Sequence, residues 1–398
     1  MSESKLSEGQ LKVGATGFLS LFAIVGISFY GLPFFFDFWV DDFGWSRTTI
    51  TSGNAVGKLV IALFAFVSGW VIDRFGPRRV MLFGIVLGGV ALVGLGNMTW
   101  LWQFYFFYFV SSMAYMTAGP LPNQVLISRW FVTSRGKAMG FAYIGIGVGG
   151  MFVPQIARLL NVNFGWHTSL MLLGLLMVVV AFPMIWFVKD NPEIVNVTSR
   201  SDEPKIPFME VLKRRNVYLL LIGSMCSIGA VAGTSQHLKL FLSTDLGFSQ
   251  EIAANMFSMI LGSSIIGRIL MGWLSDKFPK KYVMILIYSL VAGSIPLLYF
   301  ASGSPALLYV FGFVFGVGLG GDYMIIPLMA AELFGVKILG RIMGVIITAD
   351  VLGEAFAPVL VGYIRDQSGS YTNGFTALII LAVIGTISIS LLPKRPVS

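Results

Sequence analysis

The feature of this chain that most constrains its fold is a series of long apolar runs. Twelve runs of about 20 residues, each long enough to cross the hydrocarbon core of a bilayer as a helix, recur along the sequence. They lack the alternation of apolar and polar residues that is typical of barrel strands, and they are about twice as long as such strands. The sequence therefore predicts an all-α membrane protein with twelve transmembrane helices. The runs are centred near residues 27, 60, 88, 114, 148, 178, 230, 262, 291, 318, 351 and 382.

The composition excludes most other classes of protein. Hydrophobic residues make up 56% of the 398 residues and charged residues only 12%, against roughly 25% in soluble domains, and the mean hydropathy is +0.82. A soluble enzyme, a disordered chain and a disulfide-stapled secreted protein are therefore disfavoured, and Cys226 alone forms no internal disulfide. The net charge of +8 lies in clusters between apolar runs, which indicates a lipid bilayer as partner and not nucleic acid.

The distribution of lysine and arginine predicts the orientation, because basic residues concentrate in cytoplasmic loops. With the N-terminus inside, 21 of the 27 basic residues fall on the cytoplasmic side, three in outer loops and three within spans. Met1–Lys12 is polar and lacks the pattern of a signal peptide. We expect both termini to be cytoplasmic, in an integral multi-pass protein of the plasma (inner) membrane.

The chain divides into two related halves. The polar stretch 189–216 follows the sixth run and separates an N-terminal half, 1–188, from a C-terminal half, 217–398. A shift of 203 or 204 positions superposes landmarks of the two halves, and parallel repeats of six helices are typical of transporters whose site lies between the halves. The matched landmarks are Gly69-x-x-x-Asp73-Arg74 with Gly272-x-x-x-Asp276-Lys277, Phe131 with Phe334, Gly136-Lys-Ala-Met139-Gly140 with Gly340-Arg-Ile-Met343-Gly344, and Pro154 with Pro358.

The segment Gly69-Trp-Val-Ile-Asp73-Arg74-Phe-Gly76-Pro-Arg78-Arg79 resembles the loop between helices 2 and 3 of the major facilitator superfamily. Within that superfamily the chain is similar to the monocarboxylate porter and oxalate–formate antiporter branch. The resemblance implies the major facilitator fold and secondary active transport by alternating access. It rests on three further stretches, at 129–149, at 268–277, and at Gly320-Gly321-Asp322-Tyr323-x-x-x-Pro327.

Ionisable side chains inside the spans are the first functional candidates, because each costs several kcal/mol there unless it faces a cavity or a partner. They are Lys58 in the second span, His237 and Lys239 in the seventh, Arg268 in the eighth, Asp322 in the tenth, and Asp350 and Glu354 in the eleventh.

Arg268 is the first candidate for substrate binding. It lies eight residues from Asp276, about 12 Å along a helix and thus near the midplane. Its planar guanidinium matches a carboxylate bidentately, and the resemblance implies that the arginine at this place binds the substrate carboxylate. The alternative is a structural ion pair with Asp322 or Asp350.

The acids of the tenth and eleventh spans are candidates for proton coupling. Burial disfavours a charged carboxylate and a nearby cation favours it, so substrate binding at Arg268 would release Asp322 to take a proton. The alternative is a fixed counter-ion. Asp350 stands where the oxalate–formate antiporters carry a lysine, which favours a monoanion, or a substrate with a positive group, over a dianion. Glu354 shares a helix face with Asp350.

Further contacts to the substrate are expected from five residues, four of which also have a structural alternative. Tyr323 matches an aromatic position of the branch and would wall the cavity. Asn123 and Tyr115 lie near the break at Gly119-Pro120-Leu-Pro122, whose alternative role is a packing kink. For Lys58, the alternative to a substrate contact is a structural ion pair or a side chain that snorkels towards the membrane surface. For His237, the alternative is a buried imidazole whose hydrogen bonds are satisfied within the protein.

A separate group of residues is expected to act in gating. The resemblance implies that Asp73 and the arginines near it lock the cytoplasmic gate by charge-assisted contacts with the end of the eleventh or fourth helix, and that Asp276 and Lys277 do the same in the other half. The whole group comprises Asp73, Arg74, Arg78, Asp276 and Lys277.

The sequence thus predicts a secondary active transporter of a small monocarboxylate such as lactate or pyruvate, coupled to protons. The alternatives are an organic-anion exchanger and an efflux carrier for amphipathic cations that uses Asp322, Asp350 and Glu354. No nucleophile–base set or metal-ligand cluster stands out, and the glycine run 145–150 lies within a predicted span and not in a dinucleotide loop. We therefore expect a monomeric, non-enzymatic protein without a cofactor, whose partners are an organic anion, a proton and the bilayer.

Overall fold

In the computed structural model, residues 7–189, 208–248, 250–303 and 305–393 are described, and their regular structure is entirely helical. Helix α1 continues through a π-helical stretch, Phe22–Gly31, and a 3-10 turn, Leu32–Phe35, into α2. The helices are α1 (Glu8–Leu21), α2 (Phe36–Phe43), α3 (Arg47–Phe75), α4 (Pro77–Gly96), α5 (Leu101–Ala118), α6 (Pro120–Trp130), α7 (Arg135–Phe187), α8 (Phe208–Leu212), α9 (Arg215–Leu240), α10 (Gln250–Lys277), α11 (Lys280–Ser294), α12 (Pro305–Phe334), α13 (Leu339–Ser368) and α14 (Tyr371–Ser390).

Ten helices in the described part of the chain are long and apolar enough to cross a membrane. One of them, α7, has 53 residues and contains two of the predicted spans, because Gly165 breaks it at φ 72°, a conformation that glycine adopts without strain. The aromatic-rich α5, together with α6, covers the predicted fourth span, which lies outside these ten. The described helices therefore accommodate all twelve predicted spans, and the prediction of an all-α, multi-pass membrane protein is confirmed.

The chain forms two compact units. The first comprises Met1–Val132, Phe141–Glu203 and Val336–Gly344, and the second comprises Thr133–Gly140, Pro204–Gly335 and Val345–Ser398. Within the first unit, α5 packs against both α3 and α4, and α1 packs against α6. Residues 190–207 of the predicted central loop lie outside the described residues.

The second unit is built around two close helix pairs, α10 with α12 and α9 with α14. Helix α11 packs against both α12 and α14. The α10–α12 pair is held close by small residues: Gly316 faces the backbone of Ile260, and Gly320 faces the backbone of Ser264. Small residues at such positions let two membrane helices approach backbone to backbone. This tight pair carries Arg268 on α10 and Asp322 on α12.

Candidate functional site

Arg268 lies inside the second unit with only 8% of its surface exposed. Its Nη1 donates a hydrogen bond to the Ser264 hydroxyl, one helical turn earlier on α10, at 2.8 Å. This bond holds the guanidinium stem along its own helix, since residues four apart share a helix face. The structure thus places a buried cation in the middle of an apolar, membrane-spanning helix.

Asp322 is fully buried on α12 and has a serine as hydrogen-bond partner. Its Oδ2 accepts a hydrogen bond from the Ser227 hydroxyl of α9 at 2.9 Å. Its Oδ1 has no hydrogen-bond partner among the described residues. Ser227 is thus one partner of Asp322, and Ser264 is one partner of Arg268.

Asp350, on α13, comes close to Asp322 in the interior of the same unit. Only 6% of its surface is exposed, and its electrostatic neighbours are Asp322 and Glu354. Its Oδ1, like that of Asp322, lacks a hydrogen-bond partner in the described part of the chain. Two acids from different helices thus meet in a buried environment.

Tyr288 of α11 completes this group and was not expected from the sequence. It is fully buried, its hydroxyl has no hydrogen-bond partner among the described residues, and it interacts electrostatically with both Asp322 and Asp350. No sequence signal separates it from the other tyrosines of the chain, because only packing brings it to the acids. We call Ser227, Tyr288, Asp322 and Asp350 the carboxylate cluster.

Tyr323 and Glu354 form a pair beside the carboxylate cluster. The Tyr323 hydroxyl donates to Oε1 of Glu354 at 2.9 Å. Tyr323 is 40% exposed and Glu354 is half-buried, so this pair lies nearer to the surface of the unit than Asp322 does. Successive residues 322 and 323 therefore have different surroundings, one in the core and one at the surface.

His237 is half-buried and bonded to the backbone of another helix. Its Nε2 lies 2.8 Å from the carbonyl oxygen of Pro358, which only accepts, so Nε2 carries the proton. The ring also packs against Tyr371, with centroids 5.4 Å apart. The Nε2 bond links α9 to α13, whereas Nδ1 is buried without a hydrogen-bond partner among the described residues, so only one side of the imidazole is satisfied. Lys239, two residues later, is exposed.

In the first unit, Asn123 lies at the break between α5 and α6. It is fully buried, and its Nδ2 donates to the carbonyl oxygens of Ala118 at 3.0 Å and Gly119 at 2.8 Å. Pro122 has no N–H to donate to the Ala118 carbonyl four residues earlier, and the Asn123 side chain supplies a donor instead. This contact corresponds to the packing alternative. Tyr115 and Lys58 are half-buried in the same unit.

Asp73 contacts the two helix ends that the resemblance implied. Its carboxylate accepts from the backbone N–H groups of Gly340 and Arg341, each at 3.0 Å, and from Nε of Arg341 at 3.2 Å. Nη2 of Arg129, at the end of α6, lies 3.9 Å away. A carboxylate at a helix N-terminus satisfies free donors and interacts favourably with the helix dipole. Asp73 therefore caps α13 within the first unit.

Asp276 repeats this arrangement in the second unit. It accepts from the backbone N–H groups of Gly136 at 2.7 Å and Lys137 at 2.9 Å, at the N-terminus of α7. The register that aligned Gly136 with Gly340 in the sequence thus corresponds to one geometry built twice. A further ion pair of this unit, Lys280 with Glu332 at 2.8 Å, was not predicted.

The other predicted gating residues contact aromatic rings. The Arg74 guanidinium lies 5.1 Å from the ring of Trp70, and the Lys277 ammonium lies 3.9 Å from the ring of Trp273. Arg78 donates to the carbonyl oxygen of Trp186 at 2.7 Å. The bases that approach Asp73 are therefore Arg129 and Arg341.

Comparison with known proteins identifies the family. The sequence profile described as Major Facilitator Superfamily matches residues 18–293 and 240–398. The chain belongs to this superfamily. The resemblance seen in the Gly69–Arg79 segment is thereby confirmed, and the chain is a secondary transporter with the fold of its family.

Three similar proteins illustrate the range within this superfamily. The chain is 26% identical to the membrane sensor protein UhpC of Salmonella typhimurium (strain LT2), over 82% of this chain and 78% of that protein. It is 27% identical to monocarboxylate transporter 13 of Bos taurus, over 76% of this chain and 70% of that protein. The solved structure of the proton:xylose symporter XylE matches with a TM-score of 0.69 at 15% identity, over 98% and 96% of the two chains. The last likeness shows the fold alone.

Proposed function

We propose that this protein transports a small monocarboxylate of the lactate or pyruvate type together with a proton. Arg268 binds the substrate carboxylate, and Asp322 and Asp350 carry the proton. The similarity to a monocarboxylate transporter supports the substrate class. Glu354, bonded to the Tyr323 hydroxyl, is the third acid available for coupling.

The observation that carries the proposal is the buried guanidinium of Arg268 in a membrane-spanning helix. A charge at this depth costs several kcal/mol and is retained where it meets a cavity or a partner. A guanidinium carries five N–H donors in a planar fork, and a bidentate contact of such donors with a carboxylate is short and strong. An anionic substrate of small size matches this donor set.

The test of the substrate site is Arg268→Lys in purified protein. Lysine keeps the charge and loses the planar fork, so we expect the affinity for lactate or pyruvate to fall about 10- to 100-fold, the equivalent of one charged hydrogen bond. Binding is measured by calorimetry and uptake in proteoliposomes. The matched control is Lys239→Arg, an exposed base on α9. Unchanged affinity in Arg268→Lys contradicts the carboxylate site.

A second candidate, efflux of amphipathic cations, is favoured by the excess of acids. Asp322, Asp350 and Glu354 lie in one unit, and acids there would attract a cationic substrate. Uptake into proteoliposomes under an imposed pH gradient separates the two functions. Accumulation of labelled lactate that requires the gradient supports symport, whereas lactate-independent movement of a lipophilic cation supports efflux. Lactate exchange without a response to the gradient indicates an anion exchanger.

A further inference from the structure

A short pattern of aromatic and charged residues is repeated at the ends of the second and eighth predicted spans. Trp70-Val-Ile-Asp73-Arg74-Phe75 in the first unit corresponds, at a shift of 203 positions, to Trp273-Leu-Ser-Asp276-Lys277-Phe278 in the second. The acid of each copy caps a helix of its own unit. The tryptophan, the base and the phenylalanine of each copy lie outside that contact and require a separate explanation.

In the first unit these three side chains form an exposed group at the end of α3. Trp70 is 40% exposed, Phe75 is 48% exposed, and Arg74 is exposed as well. The Arg74 guanidinium lies 5.1 Å from the ring centroid of Trp70 and 5.4 Å from that of Phe75. Residues 70 and 74 share a helix face, so the tryptophan ring holds the base that lies one turn further on. We call Trp70, Arg74 and Phe75 the first aromatic–base group.

The second unit contains the equivalent group at the end of α10. Trp273 and Phe278 are 38% and 54% exposed, and Lys277 is exposed. The Lys277 ammonium lies 3.9 Å from the ring centroid of Trp273. Within the described ranges, neither Arg74 nor Lys277 forms an ion pair with an acid. We call Trp273, Lys277 and Phe278 the second aromatic–base group.

Other bases close to the two groups have bonds inside the protein. Arg78 donates to the carbonyl oxygen of Trp186 at 2.7 Å, and Lys281, its equivalent at the same shift, donates to the carbonyl oxygen of Leu392. Each of these bonds ties the third predicted span of a half to the end of its sixth. Arg78 and Lys281 therefore have a structural role, whereas the bases of the aromatic–base groups present their charge at the surface.

We propose that the two aromatic–base groups each bind the phosphate headgroup of one anionic phospholipid. Both groups lie at the ends of membrane-spanning helices, on the side that the distribution of basic residues predicts to be cytoplasmic, where the leaflet surface is negative. Arg74 and Lys277 supply the complementary charge, and the aromatic rings lie at the level of the headgroups. This inference concerns the bilayer and does not depend on which substrate is transported.

The two groups should differ in affinity. The planar guanidinium of Arg74 can donate two parallel hydrogen bonds to phosphate oxygens, whereas the ammonium of Lys277 is a point charge. The first unit also has a second exposed base nearby, Arg79, and its equivalent in the second unit is Tyr282, which is 47% exposed. We therefore expect the first aromatic–base group to bind the phospholipid more tightly.

The experiment is a thermal-unfolding titration of the purified full-length protein, in a neutral detergent, with dioleoylphosphatidylglycerol. The reference lipid is dioleoylphosphatidylcholine, which has the same acyl chains and no net charge. A ligand that binds only the folded state raises Tm in a saturable way, and we expect this rise with the anionic lipid and not with the reference lipid. Inorganic phosphate is titrated in parallel, and we expect it to leave Tm unchanged.

Variants locate the two groups. One base near a charged membrane surface contributes about fivefold in affinity, so Arg74→Gln should weaken the apparent affinity for phosphatidylglycerol by about that factor, and Lys277→Gln by less. The double variant should lose the difference between the two lipids. Trp70→Leu keeps every charge and loses the ring, and it should weaken the affinity about two- to fivefold. The matched control, Lys239→Gln, removes an exposed base of α9 and should behave as the wild type.

Several results would overturn the inference. They are an equal rise in Tm with both lipids, the same rise with inorganic phosphate, and a wild-type response in the double variant. A loss of affinity in Lys239→Gln as large as in Arg74→Gln would show attraction by net charge alone, and wild-type affinity in Trp70→Leu would remove the ring from the site. If Arg74→Gln fails to fold, Lys277→Gln still tests the equivalent group in the other unit.

Discussion

Single serine hydroxyls decide how the buried charges of the second unit are arranged. Ser264 binds Arg268, and Ser227 binds Asp322, so cation and anion have different neutral partners. A hydroxyl donates one hydrogen bond to a carboxylate, whereas an arginine would also neutralise its charge. The Ser227 hydroxyl therefore stabilises a charged Asp322 without adding a charge of its own.

The first prediction at this scale concerns Asp350. Asparagine keeps the shape of the side chain and removes its ability to carry a proton, so we expect Asp350→Asn to lose gradient-driven accumulation and to retain substrate exchange. Accumulation and counterflow of labelled lactate are measured in the same proteoliposomes, with Asp366→Asn as control. An unchanged response to the pH gradient would exclude Asp350 from coupling.

A second prediction at the residue scale concerns His237. Its bond to the Pro358 carbonyl contributes about 0.5–1.5 kcal/mol, so His237→Phe should lower the free energy of unfolding by about that amount. Substrate affinity should stay the same, because the bond is structural. Denaturation and binding are both measured, with Lys239→Gln as the control on the same helix. A large loss of affinity at unchanged stability would instead support a substrate contact.

At the scale of elements, close helix packing positions the site. The α10–α12 pair places Arg268 and Asp322 on adjacent helices, and Gly320 is one of the glycines that make the approach possible. A Cβ at Gly320 would meet the Ser264 carbonyl group, with the carbonyl carbon at 2.8 Å, and the Arg268 nitrogen at 3.0 Å. These are backbone atoms that cannot move aside separately.

We therefore expect Gly320→Ala to destabilise the protein by about 1–3 kcal/mol through overpacking, and to displace Arg268 enough to weaken substrate binding. Gly262→Ala is the matched control on α10, because a Cβ there meets no atom within 4 Å. It should be neutral or stabilise the helix by up to about 1 kcal/mol. The Tm values of both variants check the prediction. Equal Tm values would show that the α10–α12 contact at Gly320 has room for a methyl group.

At the scale of the whole molecule, the distribution of basic residues predicts which loops face the cytoplasm. Val132 and Val162 flank the fifth predicted span and are 71% and 79% exposed. Cys226, the single cysteine, is buried and is replaced by alanine for this test. We expect an impermeant maleimide to label Val162→Cys in intact cells and Val132→Cys only after permeabilisation. The reverse pattern would invert the predicted orientation.

Much of the architecture could be predicted because it depends on local properties of the chain. Run length and hydropathy predict spans, and the 203-residue register predicts that Asp73 and Asp276 have equivalent surroundings. The partners of these acids follow the same register, with Gly340 and Arg341 in one unit and Gly136 and Lys137 in the other. Repeated sequence produces repeated local geometry, so these contacts were within reach of sequence reasoning.

The sequence by itself determined the membrane environment, the helical class, the family and the short set of in-span charges, because each follows from the cost of placing polar atoms in hydrocarbon. Only the tertiary structure decided which of those charges meet. It joined Arg268 to Ser264 and Asp322 to Ser227, bound His237 to Pro358, and made both acids electrostatic neighbours of Tyr288. Hydropathy is a sum over neighbours in the chain, whereas these contacts depend on how helices that are distant in sequence pack together.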